Sequence, residues 1–285
     1  MSIQVVKTIR EMQVIAERFR CNGKIIAVVP TMGFLHRGHT SLIERARSRA
    51  DVVITTIFVN PTQFAPNEDY NRYPRDFDHD KILAADAGTD IIFFPDTAEM
   101  YPQKFNSKVE VERASKTLEG AFRPTHFQGV TTVVTKLFHI TKPHIAIFGQ
   151  KDAQQAFIVQ KMVNDLNYDI DILIAPIVRE DDGLALSSRN IYLSETERKN
   201  ALSLYRSLRH AANRIHAGVK NVADLHVEME DIIKNGNPTQ IDYIAFINPE
   251  IFEEVEIIAP PEVLVALAVR FGGTRLIDNI LIQLE

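Results

Sequence analysis

Two histidines, His36 and His39, stand three positions apart with a glycine between them in the stretch over residues 30–39. Five apolar residues, 25–29, precede this stretch, and an amphipathic pattern follows over residues 40–50. A strand that turns through small residues into a helix directs backbone N–H groups to the helix N-terminus, where phosphate binds. Imidazole N–H groups beside them stabilise negative charge that develops on phosphate oxygens. The spacing therefore favours nucleotidyl transfer.

Two other interpretations of this turn stay open from the residues alone. The histidines can be a surface pair in an ordinary turn, or they can be zinc ligands. No further cluster of cysteine and histidine supports a zinc site, since Cys21 is the only cysteine of the chain. Phosphate chemistry therefore needs support from other parts of the sequence.

An amide-rich segment follows the apolar run over residues 52–59. Asn60 and Gln63 lie in the sequence FVNPTQF, and their uncharged side chains can recognise hydroxyl and carboxylate groups of a small ligand. An ordinary Asn-Pro turn at the end of a strand is the alternative. From the residues alone the ordinary turn is favoured, and a substrate-binding role for Gln63 needs support from elsewhere in the sequence.

A second strand-to-helix turn has the sequence GQKDAQQ over residues 149–155. Gly149 permits close approach of the backbone to a ligand, and Lys151 provides a compact positive charge suited to a polyphosphate. Asp152 is predicted to be the N-cap of the next helix. Gln155 falls in the first helical turn and is expected to face the mouth of the site.

Further polar segments extend this set. The sequence LSSRN at residues 186–190 adds two hydroxyls and a guanidinium that can close over phosphates, although a solvated interdomain loop has the same composition. Arg123 precedes a helical pattern and offers more positive charge. The acidic run at residues 76–80 indicates a helix start, with a metal-linked role for Asp78 or Asp80 as the alternative.

Apolar runs and helical patterns alternate over the first two thirds of the chain. The runs lie at residues 25–29, 52–59, 91–94, 145–148 and 170–178, and the helical patterns at 40–50, 76–87, 127–140 and 153–166. This alternation predicts an α/β fold with a Rossmann-like, doubly wound parallel sheet covered on both faces. Ligands of such sheets bind at the carboxyl ends of the strands, so we expect the polar segments that follow the strands to face one cleft.

The last third of the chain changes character near residue 180. Ser194 and Glu197 form a predicted capping box before a helix, a second helix follows Asn221, and strands are predicted near residues 241–247, 263–271 and 276–284. A hairpin turn over residues 272–274 joins the last two strands. The sequence therefore predicts a nucleotide- and substrate-binding domain over residues 1–180 and a smaller carboxyl-terminal α+β lid domain over residues 181–285.

The bulk composition argues against several classes of protein. The 285 residues are 45% hydrophobic, and the formal net charge of -5 does not favour general binding to nucleic acid or anionic lipid. No segment resembles a signal peptide or approaches the roughly 20 apolar residues of a membrane span. A single cysteine excludes an intrachain disulfide, which fits a reducing cytosol. We therefore expect a cytoplasmic protein that acts on small molecules.

The motifs PTMGFLHRGH, FVNPTQF, RPTHFQGV, GQKDAQQ and LSSRN together resemble the pantoate–β-alanine ligases, which belong to the His-x-Gly-His nucleotidyltransferases. His-Arg-Gly-His alone is shared with related synthetases and cytidylyltransferases, whereas the combination is specific. The resemblance implies a two-step ligation. ATP and (R)-pantoate give a pantoyl adenylate and pyrophosphate, and β-alanine then displaces AMP to give pantothenate.

The resemblance also implies which residues act. His39, His36 and Lys151 would be catalytic, with His39 as the family's general acid. Gln63 and Gln155 would bind pantoate, and Gln63 would also meet β-alanine. The implied ATP-binding residues are Met32, Gly33, Phe34, Leu35, His36, Arg37, Gly38, His39, Gly149, Gln150, Lys151, Asp152, Val178, Leu186, Ser187, Ser188 and Arg189.

The same resemblance implies a homodimer without a tightly bound organic cofactor. Mg²⁺ would travel with the triphosphate of ATP and not sit in a cage made of protein. The chain departs from the family pattern at Gln150, where glutamate is common, and at Leu186, where methionine is common. His79 stands in a run that is usually acidic, which weakens the case for a metal bound there.

Two other functions compete with the ligase. A nucleotidyltransferase that leaves the nucleotide on its product would act on a phosphorylated substrate and would need more arginine and lysine than the two glutamines supply. A nucleotide-binding regulator without catalysis has no need of His36, His39 and Lys151 together. An assay with ATP, pantoate and β-alanine that follows AMP and pyrophosphate separates the three.

Overall fold

The computed structural model describes residues 3–66 and 68–284 of the chain. By their internal contacts, these residues divide into two compact units. The first unit runs up to Gly149 and continues over Gln154–Pro176, and the second combines Gln150–Ala153 with the chain from Ile177 onward. The turn at Gln150–Ala153 therefore groups with the later part of the chain. A single boundary at residue 180 would have put this turn in the first domain. The lid role of the later part stays a prediction.

The sheet of the first unit is built from the apolar runs. Its strands within the described residues are β1 (Gln4–Val6), β2 (Ile26–Thr31), β3 (Val52–Ile57), β4 (Ile91–Phe93), β5 (Ile145–Gly149) and β6 (Asp171–Ala175). They pair in parallel in the order β1-β4-β3-β2-β5-β6. From β2 the sheet continues through β3 and β4 on one side and through β5 and β6 on the other, so the direction in which strands are added reverses between β2 and β5. Such a switch point opens a crevice at the carboxyl ends of the strands.

Helices cover both faces of this sheet, as the continuous apolar runs predict. They are α1 (Ile9–Cys21), α2 (Arg37–Arg47), α3 (Phe77–Asp86), α4 (Thr97–Met100), α5 (Glu119–Phe122), α6 (His126–Thr141) and α7 (Ala153–Asp165). Successive residues of β2 alternate between the faces. Ile26 and Val28 join the core formed with α1, α6 and α7, whereas Ala27 and Val29 join the core formed with α2 and α3.

The second unit is an α+β assembly with its own core. Its elements are α8 (Glu195–His216), α9 (Val222–Lys234), β7 (Gln240–Asn248), β8 (Glu253–Glu254), β9 (Glu262–Phe271) and β10 (Thr274–Gln283). The strands form an antiparallel sheet in the order β10-β9-β7-β8, and apolar residues of α8 and α9 pack with those of β9 in one buried cluster. The predicted capping box at Ser194 and Glu197 is confirmed, and so is the predicted fold class.

Some predicted boundaries were wrong by a few residues. The run over residues 170–178 gives a strand that ends at Ala175, before Pro176, and β1 at the edge of the sheet was not predicted. Thr274 belongs to β10 and not to the hairpin turn. Among the described residues, no helix combines the length and the apolar character that a transmembrane span requires.

Candidate active site

The histidine turn connects β2 with α2 in the first unit. His36 is the N-cap of α2, and its Nδ1 accepts a hydrogen bond of 3.1 Å from the Gly38 N–H. His39 Nδ1 accepts one of 3.2 Å from the His36 N–H, so the two residues form a capping box, with ring centroids 4.0 Å apart. A neutral imidazole that accepts at Nδ1 carries its proton on Nε2. The capping box therefore selects the tautomer in which each ring donates from Nε2.

Backbone N–H groups of the same turn already donate within the protein. Phe34 N and Leu35 N donate to the carboxylate of Asp80 at 2.9 and 2.6 Å, while the N–H groups of His36 and Gly38 donate to the imidazoles. The sequence prediction that N–H groups of this turn bind phosphate therefore does not apply to these four in the present arrangement.

Asp80, on α3, supports this turn by accepting two of its backbone N–H groups. The residue is 1% exposed, and burial raises the pKa of the carboxyl, opposed by the hydrogen bonds from Leu35 and Phe34. A Cβ at Gly33 would lie 2.9 Å from Asp80 Oδ2, and Gly33 has φ +80°, so the turn needs glycine at this position. The alternative of a metal-linked role for Asp80 finds no support, because both carboxylate oxygens serve the backbone. Asp78 is exposed.

Gln63 lies next to the histidine turn, as the strand-end rule predicts for the first unit. It closes a short 3-10 turn (Pro61–Gln63) whose N-cap is Asn60, and it is 8% exposed. Asn60 Nδ2 donates to Gln63 Oε1 at 3.1 Å, and Gln63 Nε2 lies 3.0 Å from Met32 Sδ. The amide of Gln63 is thus held in one orientation against the loop that carries the histidines.

Two residues, the C-cap of α5 and the first residue of α6, fix the backbone of Gln63. His126 Nδ1 donates to the Gln63 carbonyl at 2.9 Å, and Arg123 donates to the same oxygen at 3.3 Å. Burial, with the neighbouring Arg123 charge, lowers the pKa of His126 to about 4, so the ring is neutral near pH 7. Arg123 also pairs with Glu68 at 2.6 and 2.7 Å. The Arg123 charge is therefore paired with Glu68. The sequence had suggested that it adds positive charge for phosphate.

Gly129, one turn into α6, explains how this helix approaches Gln63 so closely. A Cβ there would lie 2.4 Å from the Thr62 carbonyl oxygen and 2.7 Å from Gln63 N. The Gly129 carbonyl in turn accepts from Asn60 Nδ2 at 3.1 Å. The motif RPTHFQGV therefore contributes structural support to the candidate substrate residue.

The two adjacent glutamines at the start of α7 have different surroundings. Gln154 is 6% exposed; its Nε2 donates to the carbonyls of Ala114 and Thr117, and its Oε1 accepts from Glu119 N. Gln155, the predicted pantoate-binding residue, is half-buried. The three hydrogen bonds of Gln154 give it a structural role, while pantoate binding by Gln155 stays a prediction.

Lys151 belongs to the second unit, in a 3-10 turn (Gln150–Asp152) that leads into α7. Its Nζ lies 3.9 Å from Asp152 Oδ1, and its side chain is 22% exposed. Asp152 is the last residue of this turn, directly before α7. Asn279 of β10 donates from Nδ2 to the carbonyls of Gln150 and Lys151 at 2.9 and 3.0 Å. No local pattern in the sequence points to Asn279, because its partners lie 129 and 128 residues away.

The segment after β6 is folded and not a solvated loop. Leu186 N donates to the Val178 carbonyl at 3.1 Å, and Arg179 forms a β-bridge with Ala185. Ser187 Oγ accepts from Arg189 N at 3.3 Å and begins a 3-10 turn (Ser188–Tyr192). These contacts bring Val178 close to the LSSRN motif, so the implied ATP-binding residues of this segment lie together.

A buried ion pair anchors this segment to β10. Arg179 donates to both oxygens of Asp278 at 2.6 and 2.8 Å, and Asp278 is 3% exposed. Burial raises the pKa of the Asp278 carboxyl, opposed by Arg179 and, to a smaller extent, by the nearby charge of Lys151. The Arg179 guanidinium also lies over the ring of Tyr205, 4.2 Å from its centroid.

The described residues contain no group of three or more histidine, cysteine, aspartate or glutamate side chains that could hold a metal ion. Within that part of the chain, His36 and His39 have no third ligand of these types. The arrangement therefore gives no support to the alternative of a zinc-binding pair. The role of the two histidines at phosphate stays a prediction.

Comparison with known proteins gives one consistent result. The family model described as pantoate-beta-alanine ligase matches residues 4–281. A pantothenate synthetase of Caldicellulosiruptor saccharolyticus is 52% identical over 279 residues, covering 98% of this chain and 99% of the relative. One from Thermotoga petrophila is 51% identical over 277 residues, with coverage of 97% and 99%.

Solved structures agree with this result. The pantothenate synthetase of Thermus thermophilus aligns with a TM-score of 0.92 and 42% identity, covering 98% of this chain and 99% of that one. The pantoate-beta-alanine ligase of Francisella tularensis, solved with β-γ ATP and β-alanine, aligns with a TM-score of 0.80 and 34% identity, with coverage of 98% and 97%.

Proposed function

Because the chain belongs to the pantoate–β-alanine ligase family and is therefore a ligase of pantothenate biosynthesis, we propose that it activates its acid substrate by adenylation. A carboxylate oxygen of (R)-pantoate attacks the α-phosphorus of ATP, and the bond to pyrophosphate breaks. The β-alanine amine then attacks the carbonyl carbon of the pantoyl adenylate and loses a proton. The new amide bond forms as AMP leaves with the electron pair of the broken C–O bond.

The tautomer of the histidine turn is the observation that carries this proposal. With Nδ1 of His36 and His39 accepting backbone hydrogen bonds, each neutral ring carries its proton on Nε2. Donors fixed before reaction stabilise the charge that builds on the α-phosphate oxygens as pyrophosphate leaves. His39 is the proposed general acid, and electrostatic stabilisation by both rings contributes at least as much.

Gln63 and Gln155 are the proposed pantoate-binding residues, and Gln63 also meets β-alanine. The buried and oriented amide of Gln63 supports this assignment, since an uncharged amide binds a carboxylate or hydroxyl without repelling ATP. A phosphorylated acid would need arginine or lysine in the same place. The small hydroxy acid is thus the substrate that the amides suit.

The ATP-binding residues proposed in each unit are those that the family resemblance implies. Lys151 and Arg189 would neutralise phosphates, and the relative from Francisella tularensis was solved with an ATP compound. Mg²⁺ would bind to the triphosphate itself, because this ion keeps several of its waters and is bound largely through substrate phosphates. In the first unit, the proposed ATP-binding residues are Met32 to His39 and Gly149. In the second unit, they are Gln150 to Asp152, Val178 and Leu186 to Arg189. A homodimer stays a prediction of the resemblance, and a cytoplasmic location stays a prediction of the composition.

Product analysis tests this proposal. The enzyme is incubated with ATP, Mg²⁺ and pantoate, with and without β-alanine, and AMP, pyrophosphate and pantothenate are measured. We expect pyrophosphate in both reactions and AMP with pantothenate in the complete one. ADP and phosphate in place of AMP would overturn the adenylate. A nucleotide left on the product would favour the other nucleotidyltransferase, and an absence of turnover would favour the regulator.

A further inference from the structure

Asn279 contacts the turn that carries Lys151 through both ends of its side-chain amide. Nδ2 donates to the carbonyl oxygens of Gln150 and Lys151 at 2.9 and 3.0 Å, and Oδ1 accepts from Gln150 Nε2 at 3.4 Å. The residue is 3% exposed. Loss of its N–H groups would remove these two part-buried hydrogen bonds to the backbone of the lysine turn, and a carbonyl that loses its donor away from bulk water costs more than one in an exposed hydrogen bond.

Asn279 is itself held in place by its neighbour on β10. Its own N–H contacts Asp278 Oδ1 at 2.8 Å, and its carbonyl accepts from Arg179 at 3.2 Å. Arg179 forms the bidentate pair with Asp278 described above. The amide therefore projects from a strand whose backbone and side chains are fixed on both sides, and it has little freedom to follow a shift of the lysine turn.

The lysine turn has few other constraints within its own sequence. It is a 3-10 turn of three residues between β5 and α7, and 3-10 geometry makes weaker internal hydrogen bonds than an α-helix. The Lys151 side chain is 22% exposed. The position of its Cα therefore determines how far the ammonium reaches, and Asn279 bonds to the carbonyl of that same residue.

We propose that Asn279 is a positioning residue for Lys151, an inference that rests on the proposed role of Lys151 at the ATP phosphates. It fixes the backbone of the lysine turn so that the ammonium meets the phosphates as pyrophosphate leaves. It touches no reacting atom. Displacement of a charge by about 1 Å from its productive place can lower a rate about 10²-fold. The expected defect lies in kcat, with KM for pantoate preserved.

A double-mutant cycle with Asn279→Leu and Lys151→Ala tests this proposal. Leucine keeps the approximate volume and removes both donors. We expect Asn279→Leu to lower kcat about 10²-fold and Lys151→Ala to lower it about 10²- to 10³-fold. In the Lys151→Ala background, Asn279→Leu should have almost no further effect. Asn213→Leu, on the exposed face of α8, is the matched control and should leave kcat unchanged.

The arms of the cycle separate the possible failures. A normal rate for Lys151→Ala would refute the proposed role of the lysine itself. If Lys151→Ala is impaired, a normal rate for Asn279→Leu, or an equal loss in both backgrounds, would overturn the positioning role and leave the proposed function standing. If Asn279→Leu does not fold, as judged by thermal unfolding, the isosteric Asn279→Asp goes through the same cycle with the same criteria.

Discussion

At the scale of single residues, the proposed adenylation depends on how a few polar side chains are oriented. The residue types and spacing of His36 and His39 drew attention to them in the sequence, whereas Gln63 was selected through the family resemblance. Their orientation was not predictable, because it depends on hydrogen bonds such as that from Gln63 Nε2 toward Met32 Sδ, which join distant segments. Lys151 was also selected by type and position, whereas Asn279 has no local pattern that connects it with the lysine turn.

Replacement of Gln63 by alanine tests its assignment to pantoate. A hydrogen bond to a charged group contributes about 1.5–3 kcal/mol, so we expect KM for pantoate to rise roughly 10- to 100-fold. KM for ATP should stay near the wild-type value. Steady-state kinetics with each substrate varied in turn provide both numbers.

Gln160→Ala is the control for this experiment, because Gln160 is exposed on α7 and shares no contact with the turn at Gln63. It should leave both KM values unchanged. An equal rise of KM for ATP and pantoate in Gln63→Ala would show that Gln63 does not belong to a separate acid-binding position.

At the scale of secondary-structure elements, residues of the helices stabilise the loops that follow the strands. The sequence predicted the helix after the histidine turn to begin at Thr40, but α2 begins at Arg37. The start was missed because histidine is not among the usual N-cap residues, and here His36 takes that place with His39 as its capping-box partner. The three-residue strand β1 was missed because so short a run has no clear periodicity.

Asp80 of α3 is predicted to stabilise the histidine turn. In Asp80→Asn, an amide NH₂ replaces an oxygen that accepts a backbone N–H, so donor faces donor. We expect a loss of about 1–3 kcal/mol in the free energy of unfolding together with a lower kcat. Urea unfolding and the rate of pyrophosphate release measure the two effects.

Asp78→Asn is the matched control, because Asp78 lies exposed in the first turn of the same helix. It should change the free energy of unfolding and kcat only slightly. If Asp80→Asn behaved like Asp78→Asn, the support of the turn by α3 would be disproved.

The buried His126 of α6 predicts a pH dependence of stability. Its pKa falls from 6.5 to about 4 on folding. Between these values the unfolded chain binds a proton that the folded chain does not, so stability decreases as the pH falls below 6.5. From pH 7 to 4.5 we expect this residue to account for about 2–3 kcal/mol of lost stability. Above pH 6.5 His126 contributes almost no change of the free energy of unfolding with pH.

Urea unfolding at pH 7 and pH 4.5 measures this effect. In His126→Gln the difference between the two pH values should shrink by the amount that His126 supplies. His139→Gln, on the exposed face of the same helix, should keep the wild-type difference. An unchanged difference in His126→Gln would contradict the lowered pKa.

At the scale of the whole molecule, the alternation of apolar runs and helical patterns was sufficient to predict the parallel sheet and the α+β character of the later chain. The grouping of Gln150–Ala153 with the second unit was not predictable. This grouping depends on contacts of the turn with β10. Such contacts arise from tertiary packing and have no periodic pattern in the sequence. The motifs between residues 30 and 190 identified the family without this information, because each motif is local in the sequence.

Transfer of oxygen from pantoate to AMP tests the central claim most directly. The enzyme converts pantoate labelled with ¹⁸O in its carboxylate, together with ATP and β-alanine, and the products are analysed by mass spectrometry. In an adenylate, one carboxylate oxygen bridges to the α-phosphorus and leaves with the nucleotide. We predict one ¹⁸O atom in each AMP formed. Unlabelled AMP, or label in inorganic phosphate beside ADP, would contradict activation through a pantoyl adenylate.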